Sequence, residues 1–339
     1  MQKRVLITGV SGQDGSFLSK LLITEGYEVY GTTRRKETDF WRLRELGLLD
    51  KLQIISSEEN KISDLIRNLE PDEIYNLAGQ SSVANSFKQP FETISSNGLL
   101  TLEILECIRN MRKKIKFYQA SSSEIFGESG NYSKDEITSI HPRSPYAVSK
   151  LFSHWITVNY REAYNLFACC GILFNHESEL RGDQFVTRKI SKTVAEIKLG
   201  KSDCLYIGNM HVKRDWGYAP DYVFGMYKMM QANNAEDFVL ATGKLHSLKE
   251  FIELAFLAID KKIKWNGSDL DEVGIDCETG QILVKVDPKF FRPTDLSHSL
   301  GNPLKANNFL DWSNTKSLAE ITSLMVEADI NRMIALSNA

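Results

Sequence analysis

The feature that most constrains how this chain can fold is a glycine-spaced turn close to its start. Val5-Leu6-Ile7-Thr8 is a near-continuous apolar run, the pattern of a strand buried on both faces of a parallel sheet. It leads directly into Gly9-Val10-Ser11-Gly12-Gln13-Asp14-Gly15, and over 16–25 Phe17, Leu18, Leu21 and Leu22 recur at helical spacing. Glycine allows a tight turn and a close backbone approach, while the helix that follows offers free N–H groups and the positive end of its dipole. A strand, a glycine turn and a helix N-terminus in that order make a cradle for a pyrophosphate. The spacing is G-x-x-G-x-x-G rather than G-x-G-x-x-G, and its place after the first strand of an alternating pattern gives it weight. Gly9, Gly12, Gln13, Asp14 and Gly15 are the first candidate cofactor-binding residues.

That alternation continues. Glu28-Val29-Tyr30-Gly31, Glu73-Ile74-Tyr75-Asn76-Leu77, Lys116-Phe117-Tyr118-Gln119-Ala120 and Phe167–Leu173 read as strands, with helices over 62–69, 98–112 and 146–164. Strands and helices alternating at this spacing imply right-handed crossovers and an α/β class, a doubly wound parallel sheet of the Rossmann kind. After about residue 175 the rhythm loosens. A helix near 220–232 returns to the sheet, another covers 247–260, and 266–295 reads as loop-rich. The expected domains are 1–175 plus about 217–240 for the dinucleotide, and about 176–216 plus 241–339 as a smaller, discontinuous α/β domain for the substrate.

Composition removes several classes. Apolar residues make up 42% of 339 and charged residues 25%, which supports a sizeable core and excludes a disordered chain. A net charge of −3 with dispersed basic residues leaves nucleic acid without an electrostatic footprint. No apolar run approaches the ~18 residues of a membrane span, and Val5-Leu6-Ile7 is too short for a signal peptide. Cys107, Cys169, Cys170, Cys204 and Cys277 form no C-x-x-C pair, so reduced thiols, a cytoplasmic location and no metal site are expected.

Two further patterns carry chemistry. The second strand ends at Gly31, where an acid commonly holds the ribose of NAD, and the chain here reads Thr32-Thr33-Arg34-Arg35. Arginine grips a 2′-phosphate bidentately, so Arg34 and Arg35 favour NADP, against the alternative of a solvated basic loop. Tyr146 and Lys150 sit four apart on a helical segment and share a face. An ammonium about 4 Å from the phenol is worth about 4 kcal/mol at an effective dielectric near 20, or roughly three pKa units. The pair can make a phenolate able to take a proton from a sugar hydroxyl. Ser121-Ser122-Ser123-Glu124 follows a strand, placing hydroxyls and a carboxylate at the edge where open α/β sheets put their ligands. The plainer alternative is that Ser123 caps a helix and Glu124 complements its dipole.

Together these motifs resemble the extended short-chain dehydrogenase/reductases that act on nucleotide sugars, and among them the GDP-mannose 4,6-dehydratase family. Pro142-Arg143-Ser144-Pro145-Tyr146-Ala147, Gly171-Ile172-Leu173-Phe174-Asn175-His176-Glu177-Ser178, Phe185-Val186-Thr187-Arg188-Lys189, Arg214-Asp215-Trp216-Gly217 and Phe291-Arg292-Pro293 carry the likeness to about residue 330. The resemblance implies a catalytic set of Ser122, Glu124, Tyr146 and Lys150. It implies cofactor contacts from Leu77, Ala78 and His176, the last with a hydrogen-bonded strand-end residue as its alternative, and from Arg34, Arg35 and Arg181 on the cofactor phosphate. Ser81, Asn175, Lys189, Arg214, Arg292 and Asp295 are implied for the GDP-sugar. The chain departs from the family in having Ser122 for threonine, Ser56-Ser57-Glu58-Glu59-Asn60 for Gly-Asp-Leu, and Asp295 for glutamate.

The resemblance implies a redox-neutral conversion of GDP-mannose to GDP-4-keto-6-deoxymannose, with hydride moving from C4 to C6. It also implies a homodimer or homotetramer. Three alternatives stay open: a GDP-manno-heptose 4,6-dehydratase, a 4-keto reductase or C4 epimerase that needs no Glu124, and a non-catalytic dinucleotide-binding protein.

Overall fold

Seven apolar runs pair into one parallel sheet because strands covered on both faces have no polar side to show water. These are β1 (Arg4–Thr8), β2 (Glu28–Thr33), β3 (Gln53–Ser56), β4 (Glu73–Asn76), β5 (Lys116–Ser122), β6 (Ala168–Leu173) and the strand Phe238–Leu240. Their spatial order is Phe238–Leu240, β6, β5, β4, β1, β2, β3, and all neighbours run parallel. Strand order therefore reverses between β1 and β4, so their carboxyl ends diverge into a crevice where such sheets bind ligands. The computed structural model describes residues 2–34, 40–127, 130, 132–291 and 296–337.

The chain divides into two compact units. The first runs to Phe174 and adds Ala219–Thr242 and Gly301–Asn314. Leu6, Ile74, Phe117 and Ala168 pack there against Ile104, Leu105 and Ile108 of the helix Leu100–Arg109. The helix Pro145–Tyr164 has proline at its first turn, where no N–H is needed. Its Ser144 cap accepts from the Ala147 N–H at 3.1 Å, and Asn165 at φ 53° ends it.

The second unit comprises Asn175–Tyr218, Gly243–Leu300 and the chain from Thr315 onward. Its main sheet has the order Ile263–Asn266, Val273–Asp276, Ile282–Val286, Leu205–Ile207. Phe251, Ile252 and Phe256 of the helix Leu248–Leu257 bury against Leu283, Val284, Ile321 and Met325.

The strands expected at 28–31 and 116–120 continue to Thr33 and Ser122, so Arg34 follows its strand directly and Ser122 is a strand residue. The first helix begins at Gln13, inside the glycine loop. The segment 98–112 is a π turn, Ser95–Leu99, followed by an α-helix. Within the segment 266–295, expected as loop-rich, the strands Val273–Asp276 and Ile282–Val286 join Ile263–Asn266 in an antiparallel meander, and four- and five-residue strands are too short for periodicity to register. Gly301–Asn314, expected in the second domain, belongs to the first unit, where the Trp312 indole donates to Asp221 O at 2.6 Å. No helix among the described residues is long and apolar enough to cross a membrane.

Candidate active site

The glycine loop is shaped by contact with the next strand over. Gly9 has φ 74°, and a Cβ there would lie 3.0 Å from the Ala78 backbone just beyond β4, so the ends of β1 and β4 meet only because residue 9 lacks a side chain. At Gly15 a Cβ would fall 2.5 Å from Gly9 O and 2.8 Å from Val10 Cα. The helix Gln13–Thr24 starts at Gly12 with no side-chain cap. Its first-turn N–H groups are thus aimed at the cradle, and the residues fit a dinucleotide pyrophosphate.

Beneath the loop runs a buried polar chain. The Thr8 hydroxyl donates to Asn76 Oδ1 at 2.6 Å and accepts from the Leu77 and Ala78 N–H groups at 3.1 and 3.0 Å. Asn76 Nδ2 donates to Gln119 Oε1 at 2.8 Å and to Thr101 Oγ1 at 3.1 Å. Gln119 donates to Ala120 O at 3.0 Å, and Lys150 Nζ donates to the same carbonyl at 2.9 Å. One connected network therefore runs from β1 to the helix that carries Lys150. A buried polar group left unsatisfied costs about 1–3 kcal/mol, so these partners hold each other in place. Sequence reading missed Thr8, Asn76 and Gln119 as a set because strand patterns do not show which strands are neighbours.

Lys150 is 7% exposed, and its Nζ lies 5.9 Å from the centroid of the equally buried Tyr146 ring. Burial pulls its proton affinity down to about 8, partly offset by the charge of Asp14 in the first turn of the glycine-loop helix. Ser122, the last residue of β5, accepts from the Glu124 N–H at 3.3 Å. The cap of the short helix Ser123–Ile125 is therefore Ser122, not Ser123. That bond fixes the Ser122 hydroxyl and sets Glu124, partly open to solvent, in the helix's first turn. Ser122, Glu124, Tyr146 and Lys150 all belong to the first unit.

Arg34 is exposed and pairs with Glu92 at 3.2 Å. Arg42, unremarked in sequence, is 5% exposed, stacks 4.4 Å from the Trp41 ring centroid and donates to Ser11 O at 3.4 Å. It places a buried cation at the glycine loop, and no spacing signal would have found it. Ser81 is exposed beyond β4.

The second unit holds Asn175, His176, Arg181, Lys189 and Arg214. Asn175 and His176 open a short strand paired in register with Trp216 and Gly217, and His176 is buried there. Arg181 binds the buried Glu177 at 2.9 Å and stacks 3.5 Å from the Phe185 ring centroid. Lys189 donates to Tyr206 O at 2.6 Å and lies 3.1 Å from the Phe290 ring centroid. Burial, with a smaller push from Lys289, lowers it to about 8. Arg214 is buried and donates to Leu296 O at 2.7 Å. Arg35, Arg292 and Asp295 lie outside the described residues.

A family profile described as GDP-mannose 4,6 dehydratase matches residues 6–325. The chain is similar to a protein of Dictyostelium discoideum named GDP-mannose 4,6 dehydratase, 44% identical over 343 residues, covering 97% of this chain and 96% of that one. Among solved structures it resembles UDP-glucuronic acid 4-epimerase from Bacillus cereus in complex with UDP-glucuronic acid and NAD. The TM-score is 0.80 at 19% identity, over 97% of this chain and 99% of the other. RMD from Pseudomonas aeruginosa complexed with NADPH matches at TM-score 0.75 and 19% identity, over 98% of this chain and 100% of the other. At these identities the structural likenesses concern the fold.

The buried lysine yields a signed pH prediction. Lysine-selective NMR titration should find Lys150 losing its proton near pH 8, against about 10.4 for an exposed lysine. Because its folded value lies below the unfolded one, the unfolded chain binds more protons between the two. The burial cost is then fully present below pH 8, and stability contributed at this position rises from pH 8 to about 10.4. Lys150→Met should flatten that rise in urea unfolding. A midpoint above 10, or equal slopes in the two proteins, would contradict the burial.

Proposed function

The chain belongs to the GDP-mannose 4,6-dehydratase family, and from that premise we propose that it removes one water from GDP-mannose to give GDP-4-keto-6-deoxymannose. The observation that carries the reading is the pairing of two proton-handling groups at one strand edge. Tyr146 stands beside a buried lysine, and a carboxylate stands two residues past β5. A reductase or epimerase needs the first group; only elimination needs the second.

In this reading a nicotinamide cofactor, when bound, supplies a hydride acceptor that gives the hydride back, so none is consumed. The positive charge of Lys150 lowers the cost of Tyr146 phenolate, which takes the proton of the sugar 4-hydroxyl while Ser122 donates to that oxygen. Once C4 is a ketone, the hydrogen on C5 is acidic. Glu124 takes it and returns a proton to the 6-hydroxyl as water leaves. Tyr146 cannot take the C5 proton as well, because it already holds the first; it gives that proton to C5 as the C5–C6 double bond is saturated, which restores the phenolate.

Gly9, Gly12 and the first turn through Gly15 would hold the cofactor's pyrophosphate, with Leu77 and Ala78 alongside. Arg34 at the end of β2 and the buried cation of Arg42 support NADP over NAD. Arg181 would join them on the cofactor phosphate, as the family resemblance implies, with its Nε still paired to Glu177. Asn175, His176, Lys189, Arg214, Arg292 and Asp295 would serve nicotinamide and GDP-sugar as the family resemblance implies. A diphosphate beside Lys189 would restore the proton affinity that burial removes.

Val148, Phe152 and Trp155 leave an exposed apolar stripe on the helix Pro145–Tyr164, with Leu151 and Ile156 lining a shallow groove beside it. We assign this stripe to a homodimer contact. Light scattering should give a dimer or its multiple at micromolar concentration, and a monomer would overturn that assignment.

The purified protein should release NADP on denaturation and convert GDP-mannose to a product 18 mass units lighter, a loss of about one water. Glu124→Gln should still reduce bound nicotinamide, seen in the near ultraviolet, yet lose about 10²–10⁴-fold in product formation. Tyr146→Phe should show neither. Full turnover by Glu124→Gln would move the reading to a reductase or epimerase, and extracted NAD would overturn the cofactor assignment.

A further inference from the structure

Two arginines of the second unit converge on the same pair of oxygens. Arg188, on the helix Val186–Lys198, donates from Nη1 to Glu179 O at 2.7 Å and pairs through Nη2 with Asp329 Oδ1 at 2.6 Å. Arg332, on the helix Leu318–Ser337, donates from Nη2 to Glu179 O at 2.8 Å and from Nη1 to Asp329 Oδ1 at 3.3 Å. Two guanidinium groups, one carboxylate oxygen and one peptide carbonyl thus close a ring. Asp329 is 2% exposed, and its other oxygen accepts from Ser191 Oγ at 2.7 Å. Burial raises the proton affinity of that carboxyl, while Arg188, Ser191 and Arg332 oppose the rise. Asp183, 3.7 Å from Arg188 Nε, is exposed, so Asp329 is the buried counter-charge that both arginines share.

What the ring holds is a turn. Ser178 Oγ accepts from the Leu180 N–H at 3.1 Å, and Ser178 O accepts from the Arg181 N–H at 3.0 Å. Ser178 and Leu180 are fully buried. Glu177, also buried, accepts from Thr187 Oγ1 at 2.7 Å and pairs with Arg181 Nε at 2.9 Å. One partner is enough to satisfy a buried carbonyl, yet Glu179 O takes two charged donors. Each donor is a planar fork whose other prong is already fixed on Asp329, so the surplus goes into holding the carbonyl in place. Arg181 follows two residues later, its own Nε anchored to the same turn.

We infer that Arg332 is a positioning residue: with Asp329 it fixes the turn Glu177–Arg181, and thereby sets the Arg181 guanidinium for the cofactor phosphate. It acts through Arg181 and meets no reacting atom. The inference rests on the cofactor role proposed for Arg181.

The test is NADPH titration of the full chain freed of bound cofactor, read by nicotinamide fluorescence, with thermal unfolding and peptide-level hydrogen exchange in parallel. Arg332→Met keeps the apolar stem and removes both bonds. It should weaken NADPH binding about tenfold, as loss of a supporting contact behind a ligand-binding group does, and speed exchange over residues 177–185. Arg332→Lys reaches only one of the two oxygens and should recover part of each loss. In an Arg181→Met background, Arg332→Met should change NADPH affinity by less than about twofold, since the residue it acts through is gone. Wild-type affinity in Arg332→Met, or losses that multiply when the two changes are combined, would overturn the inference whatever happens to Tm. If Arg332→Met does not fold, Arg332→Lys decides, and wild-type affinity there rejects the role. Should NADPH fail to bind the wild-type protein, or bind Arg181→Met equally well, the failure belongs to the cofactor reading. The clamp is then judged by exchange: faster exchange confined to 177–185 in Arg332→Met upholds it, and unchanged exchange rejects it.

Discussion

The ligand edge of the first unit depends on a chain of buried hydrogen bonds that crosses the sheet where its strand order reverses. Thr8, Asn76 and Gln119 stand on β1, β4 and β5, and each satisfies the next before the last reaches the carbonyl that also binds Lys150. Polar side chains in strands covered on both faces are costly unless paired. Pairing them this way turns that cost into a constraint on register, because a slip by one residue would leave several groups without partners at once. The glycine turn relies on the same link. Gly9 approaches Ala78 at the point where Thr8 also holds the Leu77 and Ala78 N–H groups. The glycine turn and the lysine helix are thus tied by one network.

That network also explains how a lysine can be both buried and useful. Removing the ammonium from water lowers its proton affinity, while the Ala120 carbonyl and the more distant Asp14 charge keep it protonated through neutral pH. In the same dry surroundings its field acts on Tyr146 with little screening. An exposed lysine at the same distance would do less, since water would share its charge. In the proposed mechanism the desolvation that costs stability at this position is also what gives the pair its chemistry.

Much of this was legible in the sequence, for physical reasons that differ from part to part. The parallel sheet was readable because doubly buried strands are continuously apolar, and the tyrosine and lysine because a fixed helical spacing puts both on one face. The glycine turn was readable because few other residues could make it. Asn76 and Gln119 were not, since an isolated polar residue in an apolar segment declares a partner but not which one. Strand order, known only after folding, supplies the answer. The alternative of Ser123 as a helix cap came from ending the strand two residues short; with β5 extending to Ser122, the cap lies one residue earlier. The meander over 263–286 and the return of Gly301–Asn314 to the first unit escaped because their elements are too short for periodicity.

In the proposed mechanism Glu124 is a second proton-handling group rather than a helix complement, and that is what separates elimination from simple oxidation or epimerisation. In the proposed mechanism the two groups deprotonate the sugar at oxygen and then at carbon without either having to hold two protons at once. The measurement that tests this most directly follows the hydrogen atoms. GDP-mannose deuterated at C4 should give a 4-keto-6-deoxy product carrying the label at C6, and a reaction in deuterated water should place solvent deuterium at C5. Label retained at C4, or lost to added cofactor, would contradict the account.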